Sequence, residues 1–343
     1  MTDPVKTAVF SLYRSFRRQI SLLPSEYLRQ FFRIKLKDDV QNVLKVPALN
    51  ERLRRTKFKR VRKELRKIEA ANARDSGAYR HILDVAYGRK GKLRHEIMEP
   101  LLTDPNAPLP DRIIPAMEKS RPPVFSPELT ALLTSNHSRE SPLSPSALKK
   151  PPLMPERADP TSEDARLLGP LSKRREVNIR WRYFTAQSKK CFPPLQVEVL
   201  YPAAGENKEQ ELRTDREFLD DVGIRPVGLQ GSGVVEDLIS SAGPDFIIPP
   251  QTRRERSASG KQRNANPSEQ QPLPRFIRRR YRELLSRMPI LTYNPKTKTG
   301  GGKYSVSVAP NVLNASTRYS SSKMPTVDDT YLTWVETPAS RKS

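Results

Sequence analysis

Residues 4–23 read PVKTAVFSLYRSFRRQISLL. Val5, Val9, Leu12, Phe16, Ile20 and Leu23 recur at spacings of three and four, which predicts an α-helix with one apolar stripe. Arg14, Arg17 and Arg18 fall largely off that stripe. Asp3-Pro4 is a start signal, because Asp caps free amides and Pro is tolerated at the first helical position. Pro24 stops the helix, and Ser25-Glu26 opens the next one.

The pattern continues downstream. From Tyr27 to Leu44, Leu28, Phe31, Phe32, Leu36, Val40, Val43 and Leu44 form a broad apolar face, with Arg29, Arg33, Lys35 and Lys37 on the remainder. Asn50 is placed to cap a third segment that runs to about Ala73. There Leu49, Leu53, Phe58, Val61, Leu65 and Ile68 keep an apolar seam, while ten of the sixteen residues from Arg52 to Lys67 are basic. Asp75-Ser76-Gly77 breaks this segment. A short helix follows over Ala78–Tyr87, then a basic turn at 88–92 and one or two further helical turns over Leu93–Leu102.

The chain has 343 residues, 33 of them Pro, 36% hydrophobic residues and a net charge of +24. So little apolar surface cannot offset the ordering of every residue, so long disordered segments are expected. The first hundred residues hold 25 Lys+Arg against 11 Asp+Glu, a net of +14. That surplus favours a polyanionic partner: nucleic acid, an anionic membrane face or an acidic protein. Cys191 is the single cysteine, which excludes an internal disulfide framework and fits a reducing compartment. No apolar run reaches the roughly 18–20 residues of a membrane span, and the N-terminus lacks the continuous apolar core of a secretory signal. Its amphipathic, basic character is also that of a mitochondrial presequence, but the stripe runs on into the next segments, as in the first helix of a folded domain.

Three regions are expected: a helical module over 1–103, a Pro-rich linker over 104–170, and a mostly irregular extension over 171–343. The linker follows from prolines that disfavour helix and central strand alike. Two ordered islands interrupt the extension. Residues 173–201 read as short strands or extended pieces through Val177, Ile179, Trp181, Tyr183 and Phe184, then Leu195, Val197, Val199 and Tyr201 in alternation. Residues 275–290 read as a basic helix with Phe276, Ile277, Tyr281, Leu284, Leu285 and Met288 on its apolar side. The tail closes with Tyr331-Leu332-Thr333-Trp334. Such islands serve as docking segments, onto the chain's own domain or onto a partner.

The sequence presents no catalytic constellation. His81, His95 and His137 are too scattered for a metal cluster. Cys191 beside Lys189 and Lys190 has no nameable base. Thr299-Gly300-Gly301-Gly302-Lys303-Tyr304 lacks the hydroxyl of a phosphate-binding loop and precedes an extended stretch, Tyr304–Val308. The strong signal is basic. Arg54, Lys57, Lys59, Arg62 and Arg66 on the third segment, with Arg278, Arg279 and Arg280 in the second island, are candidate nucleic-acid contacts. The mixtures Trp181-Arg182-Tyr183 and Arg278–Tyr281 are of the kind that grips single-stranded RNA, and they are equally usable against protein.

Leu12-Tyr13-Arg14, inside a basic amphipathic helix that ends at a proline and precedes two more such helices, resembles the LYR-motif (complex I LYR) family of small mitochondrial proteins. Arg33-Ile34-Lys35-Leu36-Lys37-Asp38-Asp39 resembles that family's basic stretch, although Val40 stands where the family has an aromatic. The resemblance covers residues 4–102 and is closest to the larger fungal members, which carry a long Pro-rich C-terminal extension. It implies an all-α fold, with an N-terminal antiparallel three-helix LYR-type bundle and a largely disordered Pro-rich extension with short docking segments. It also implies docking of mitochondrial acyl carrier protein, with the acyl chain on its phosphopantetheine arm entering between the helices and no cofactor bound directly. Carried over, Leu12 would line the tunnel, Tyr13 would pack at its mouth, Arg14 would face the carrier, and Lys35 and Lys37 would be second-helix contacts. The expected role is a non-enzymatic adaptor or assembly factor in the mitochondrial matrix, joining the carrier to a polyanionic or large protein client in ribosome assembly. The alternatives are an RNA-binding, ribosome-associated protein that binds no carrier, and an accessory or assembly subunit for a respiratory complex or an iron–sulfur pathway.

Overall fold

The structure, a computed structural model, describes residues 4–104, 107–149, 154–202, 210–243, 274–295, 302–309 and 333–334. In chain order the helices are α1 (Pro4–Ser21), α2 (Glu26–Leu44), α3 (Glu51–Asn72), α4 (Ser76–Ala86), α5 (Lys92–Leu102), α6 (Pro127–Thr134), α7 (Pro145–Lys149), α8 (Glu163–Leu168), α9 (Lys173–Ser188), α10 (Arg216–Val222), α11 (Val234–Ala242) and α12 (Arg275–Leu285). The strands are β1 (Val197–Pro202), β2 (Gln210–Arg213), β3 (Pro289–Asn294) and β4 (Lys303–Val308). The chain divides into two compact units. One holds residues 1–93, 233–286 and 310–343, and the other holds 94–232 and 287–309.

In the first unit α1, α2 and α3 pack on one another, as their stripes predict. Val9, Phe16, Ile20 and Leu23 of the first stripe are buried, as are Leu28, Phe32, Leu36, Val40 and Val43 of the second. On α3 the seam is real only from Val61 onward. Leu49, in a short 3-10 turn over Ala48–Asn50 that precedes the helix, and Leu53, in its first turn, are exposed. The Asn72 side chain donates to the Gln19 carbonyl at 2.9 Å, tying the end of α3 to α1. Arg74 takes a left-handed φ of 61° after α3, and Asp75 caps α4 by accepting from Gly77 and Ala78 amides. Two elements from the region read as an irregular extension complete this unit. α12 packs on α4, and α11 packs on α12. Ile277, Tyr281, Leu284 and Leu285 of α12 are fully buried, as the reading of 275–290 as an amphipathic helix requires. Tyr281 sits 6.3 Å from Tyr87, which is 5.0 Å from Tyr27, and the Tyr27 hydroxyl donates to the Ala86 carbonyl at 2.7 Å.

The second unit corrects the all-α expectation. It contains a four-stranded sheet in the order β2-β1-β3-β4, in which β1 and β3 run parallel and both outer pairs are antiparallel. Parallel pairing of β1 with β3 joins residues 197–199 to 291–293. The stretch read as extended at 304–308 lies in β4, which pairs with β3 beyond the end of α12. Gln230 is buried against β1, where its side-chain amide accepts from Val197 N at 2.9 Å and donates to Val197 O at 2.8 Å, standing in for a neighbouring strand.

Residues 173–188 are a helix, not strands. Glu176 and Arg180 form an i,i+4 pair at 2.8 Å, and Arg, Gln and Ala favour helix, which outweighs the alternating Val, Ile and aromatic residues. The region read as a linker also contains structure. α6 begins with Pro127 at its first turn, where a missing N–H costs nothing, and Ser126 caps it by accepting from Leu129 N at 3.1 Å. Leu129, Leu132 and Leu133 are buried, and α6 packs on β4. Gly228 has a φ of 60° and its Cα lies against Ile97, where any Cβ would come within 3.3 Å of the Ile97 side chain. The stretches expected to be disordered at 105–106, 150–153, 203–209, 244–273 and 310–332 lie outside the described residues, as does Asp3.

Candidate functional site

Tyr13 on α1 and Lys37 on α2 line the same cavity. It measures ≈ 250 Å³, and its other lining residues are Arg17, Arg33, Ile34 and Leu36. Helical spacing explains the set. Tyr13 and Arg17 are one turn apart on α1, and so are Arg33 and Lys37 on α2. Leu36 is buried and gives the cavity an apolar floor, while Ile34 is 66% exposed. Arg17, Arg33 and Lys37 are exposed, and among the described residues none of the three forms an ion pair. Three cations beside a phenol and an apolar floor can hold an anionic group that carries an apolar extension.

Against protein-family models, residues 12–98 match the family described as LYR motif-containing protein 2-like. This region belongs to the LYR-motif family. Neither the curated proteins nor the solved structures contain a match to the chain.

The LYR residues and their partners take different positions in the module. Leu12 and Tyr13 are half-buried, and Arg14 is exposed and does not line the cavity. Lys35 is turned away from the cavity and pairs with Asp39 at 2.7 Å. Its charge also acts on Glu64, which lies 3.7 Å from Lys67 and 3.8 Å from His81. Burial pushes the Glu64 pKa up, but His81 and the charges of Lys35 and Lys67 outweigh it and hold the carboxyl at about 2. Lys35 is therefore part of the α2–α3–α4 packing, and Lys37 is the second-helix residue at the cavity. Sequence reasoning missed Arg17, Arg33 and Ile34 as its neighbours, although the i,i+4 relations of Arg17 to Tyr13 and of Arg33 to Lys37 were available. Val40, the departure from the family pattern, is 8% exposed and belongs to the core of α2.

The candidate nucleic-acid contacts do not form one surface. Lys59, Arg62 and Arg66 are exposed on one row of α3, while Arg54 and Lys57 are half-buried, and Lys57 Nζ donates to the Asn42 carbonyl at 3.1 Å. Of Arg278, Arg279 and Arg280 on α12, only Arg279 is exposed. Arg278 is 8% exposed and its side chain lies against Gly243, and Arg280 pairs with Glu283 at 2.8 Å. Burial lowers the Arg278 pKa, and the like charges of Arg282 and Arg275 lower it further.

Trp334, from the closing Tyr331–Trp334 segment, is buried in the first unit. Its ring lies 6.1 Å from Tyr79 and 5.8 Å from Phe276, with the Arg74 guanidinium 5.2 Å from its centroid and donating to its carbonyl at 2.9 Å. This part of the tail docks onto its own domain. In the second unit Cys191 is fully buried, and burial pushes its thiol to about 11 against the opposing charges of Arg139 and Arg94. At neutral pH it is a thiol without nucleophilic character. Among the described residues no three His, Cys, Asp or Glu side chains converge as a metal site, and no helix is long and apolar enough to cross a membrane.

Proposed function

We propose that the chain is a non-enzymatic adaptor whose LYR module docks an acyl carrier protein in the mitochondrial matrix and joins it to a polyanionic or large protein client, in mitochondrial ribosome assembly. The observation that carries this reading is the convergence of Tyr13, Arg17, Arg33 and Lys37 on one cavity within the family-matched helices. A carrier presents an acidic surface and a phosphopantetheine arm, which supplies a phosphodiester and an acyl thioester. Arg17, Arg33 and Lys37 would hold the phosphate, Tyr13 would flank the arm, and Arg14 would meet the acidic surface. Phe16, Ile20, Phe32 and Leu36 are each at most 2% exposed, so an acyl chain entering between the helices must displace them.

Co-expression tests this directly. Tagged full-length chain should retain the mitochondrial carrier through purification, and mass spectrometry should find acylated phosphopantetheine on it. Arg14→Glu and the double change Arg33→Glu/Lys37→Glu should each release the carrier while leaving the helical circular dichroism unchanged. Wild-type chain that comes out without carrier ends this reading. A second reading, RNA binding through α3, is favoured by the exposed row Lys59, Arg62 and Arg66. It requires an affinity that falls steeply with salt, by counterion release.

A further inference from the structure

The second unit carries a basic surface that the carrier reading does not use. On α9, Arg174, Asn178, Trp181 and Thr185 follow one another at spacings of four, three and four, so they form one row along the helix. Arg175, Arg182 and Lys189, seven residues apart, form the adjoining row. All seven are exposed. The only acid of the helix, Glu176, lies on another side and is taken up by Arg180 at 2.8 Å. None of Arg174, Arg175, Arg182 and Lys189 forms an ion pair among the described residues. Trp181 is 40% exposed, yet it is not loose. Its indole N–H donates to the Arg121 carbonyl at 3.1 Å, and its ring packs edge-on to Phe184, which rests against Phe125 at 5.0 Å.

From this we infer that the α9 face is a binding site for single-stranded RNA, with one base stacked on Trp181 and the flanking phosphates met by Arg174, Arg182 and Lys189. Three arguments select that occupant. A pinned aromatic between cations is the arrangement on which bases stack while the backbone is neutralised. Protein interfaces also enrich Trp and Arg, but their cores need apolar area that the single exposed ring of these two rows does not supply, and the four cations that share the rows with it form no ion pair among the described residues. A membrane is disfavoured because a single ring offers no apolar face to insert. Asn178 and Thr185 add neutral donors and acceptors within the row, the groups that can engage a ribose 2′-hydroxyl and distinguish RNA from DNA. From Arg174 to Lys189 the face is about 22 Å long at about 1.5 Å per residue, enough for a few nucleotides. This site is independent of carrier docking and of the α3 row.

Trp181 and Trp334 are the two tryptophans, so full-length Trp334→Phe protein reports on Trp181 alone. Titration with a short, fluorescein-labelled single-stranded RNA of mixed sequence should quench Trp181 emission in step with the rise in anisotropy. Trp181→Ala should weaken binding about 5- to 150-fold, and Trp181→Phe should recover most of the loss. Arg174→Glu/Arg182→Glu, two exposed changes that leave the fold intact, should lower the log–log salt slope by about 1.4. Reversal of Lys59, Arg62 and Arg66 should leave the quench at saturation unchanged. Binding without quenching of Trp181, binding of duplex RNA or of DNA with the same sequence as tightly as the single-stranded RNA, or equal competition by polyglutamate would each overturn the assignment.

Discussion

Arg29 shows how far one side chain can depart from its place on a helical wheel. Helical periodicity places it on the polar remainder of α2, but it is 6% exposed. Its guanidinium donates to the Leu23 carbonyl at 2.8 Å, just past the end of α1, and pairs with Glu26 at 2.6 Å. It therefore satisfies a backbone acceptor in the α1–α2 turn and ties that turn to α2. Arg29→Ala should cost about 1.5–3 kcal/mol, the range for hydrogen bonds to charged groups, read from urea unfolding at an unchanged m-value. Glu64 gives a pH-dependent counterpart. Its folded pKa lies near 2, below the ordinary 4.5, so the stability it contributes is complete above pH 4.5 and is lost as pH falls toward 2. Glu64→Gln should lower the melting temperature at pH 7, and the gap from wild type should close as pH falls through that window. Cys191, buried and pushed up to about 11, should react with a maleimide reagent at neutral pH only after denaturant is added.

At the scale of elements, periodicity located α1 to α4 and α12 because each buries one continuous stripe, a property written locally in the chain. It failed at α6 and α9 for opposite reasons. Proline density hid α6, whose Pro127 occupies the one turn where proline helps. Alternating Val, Ile and aromatics disguised α9, whose half-exposed setting leaves no single face wholly apolar. Ser126 is the residue that makes α6 a defined element: it caps the helix at Leu129 N and donates to the Leu101 carbonyl at 2.5 Å. Ser126→Ala should cost about 0.5–2 kcal/mol for the lost cap, and the calorimetric melting temperature should fall accordingly.

At the scale of the molecule, neither unit is a continuous stretch of chain. The family-matched helices are completed by α11 and α12, which lie more than a hundred residues downstream, and by Trp334 against Tyr79 and Phe276. A fragment ending at residue 103 would lack those partners and leave Tyr79 and Tyr87 without the rings of Phe276, Trp334 and Tyr281. Amide hydrogen exchange in α4 should accordingly be faster in that fragment than in the full chain. Equal protection in both would show that α12 contributes nothing to the module's stability.

The sequence by itself determined the amphipathic helices α1 to α3, the Leu12-Tyr13-Arg14 motif that resembles the family whose model matches residues 12–98, and the basic surplus that points to acidic partners. Each depends on neighbours within a turn or two, or on composition alone. Only the tertiary structure decided that Lys37 reaches the cavity while Lys35 turns to Asp39, that Arg278 is buried, and that β1 pairs with β3 across almost a hundred residues. Those outcomes depend on where side chains point once distant elements have packed, and on pairings whose partners carry no mark in their own local sequence.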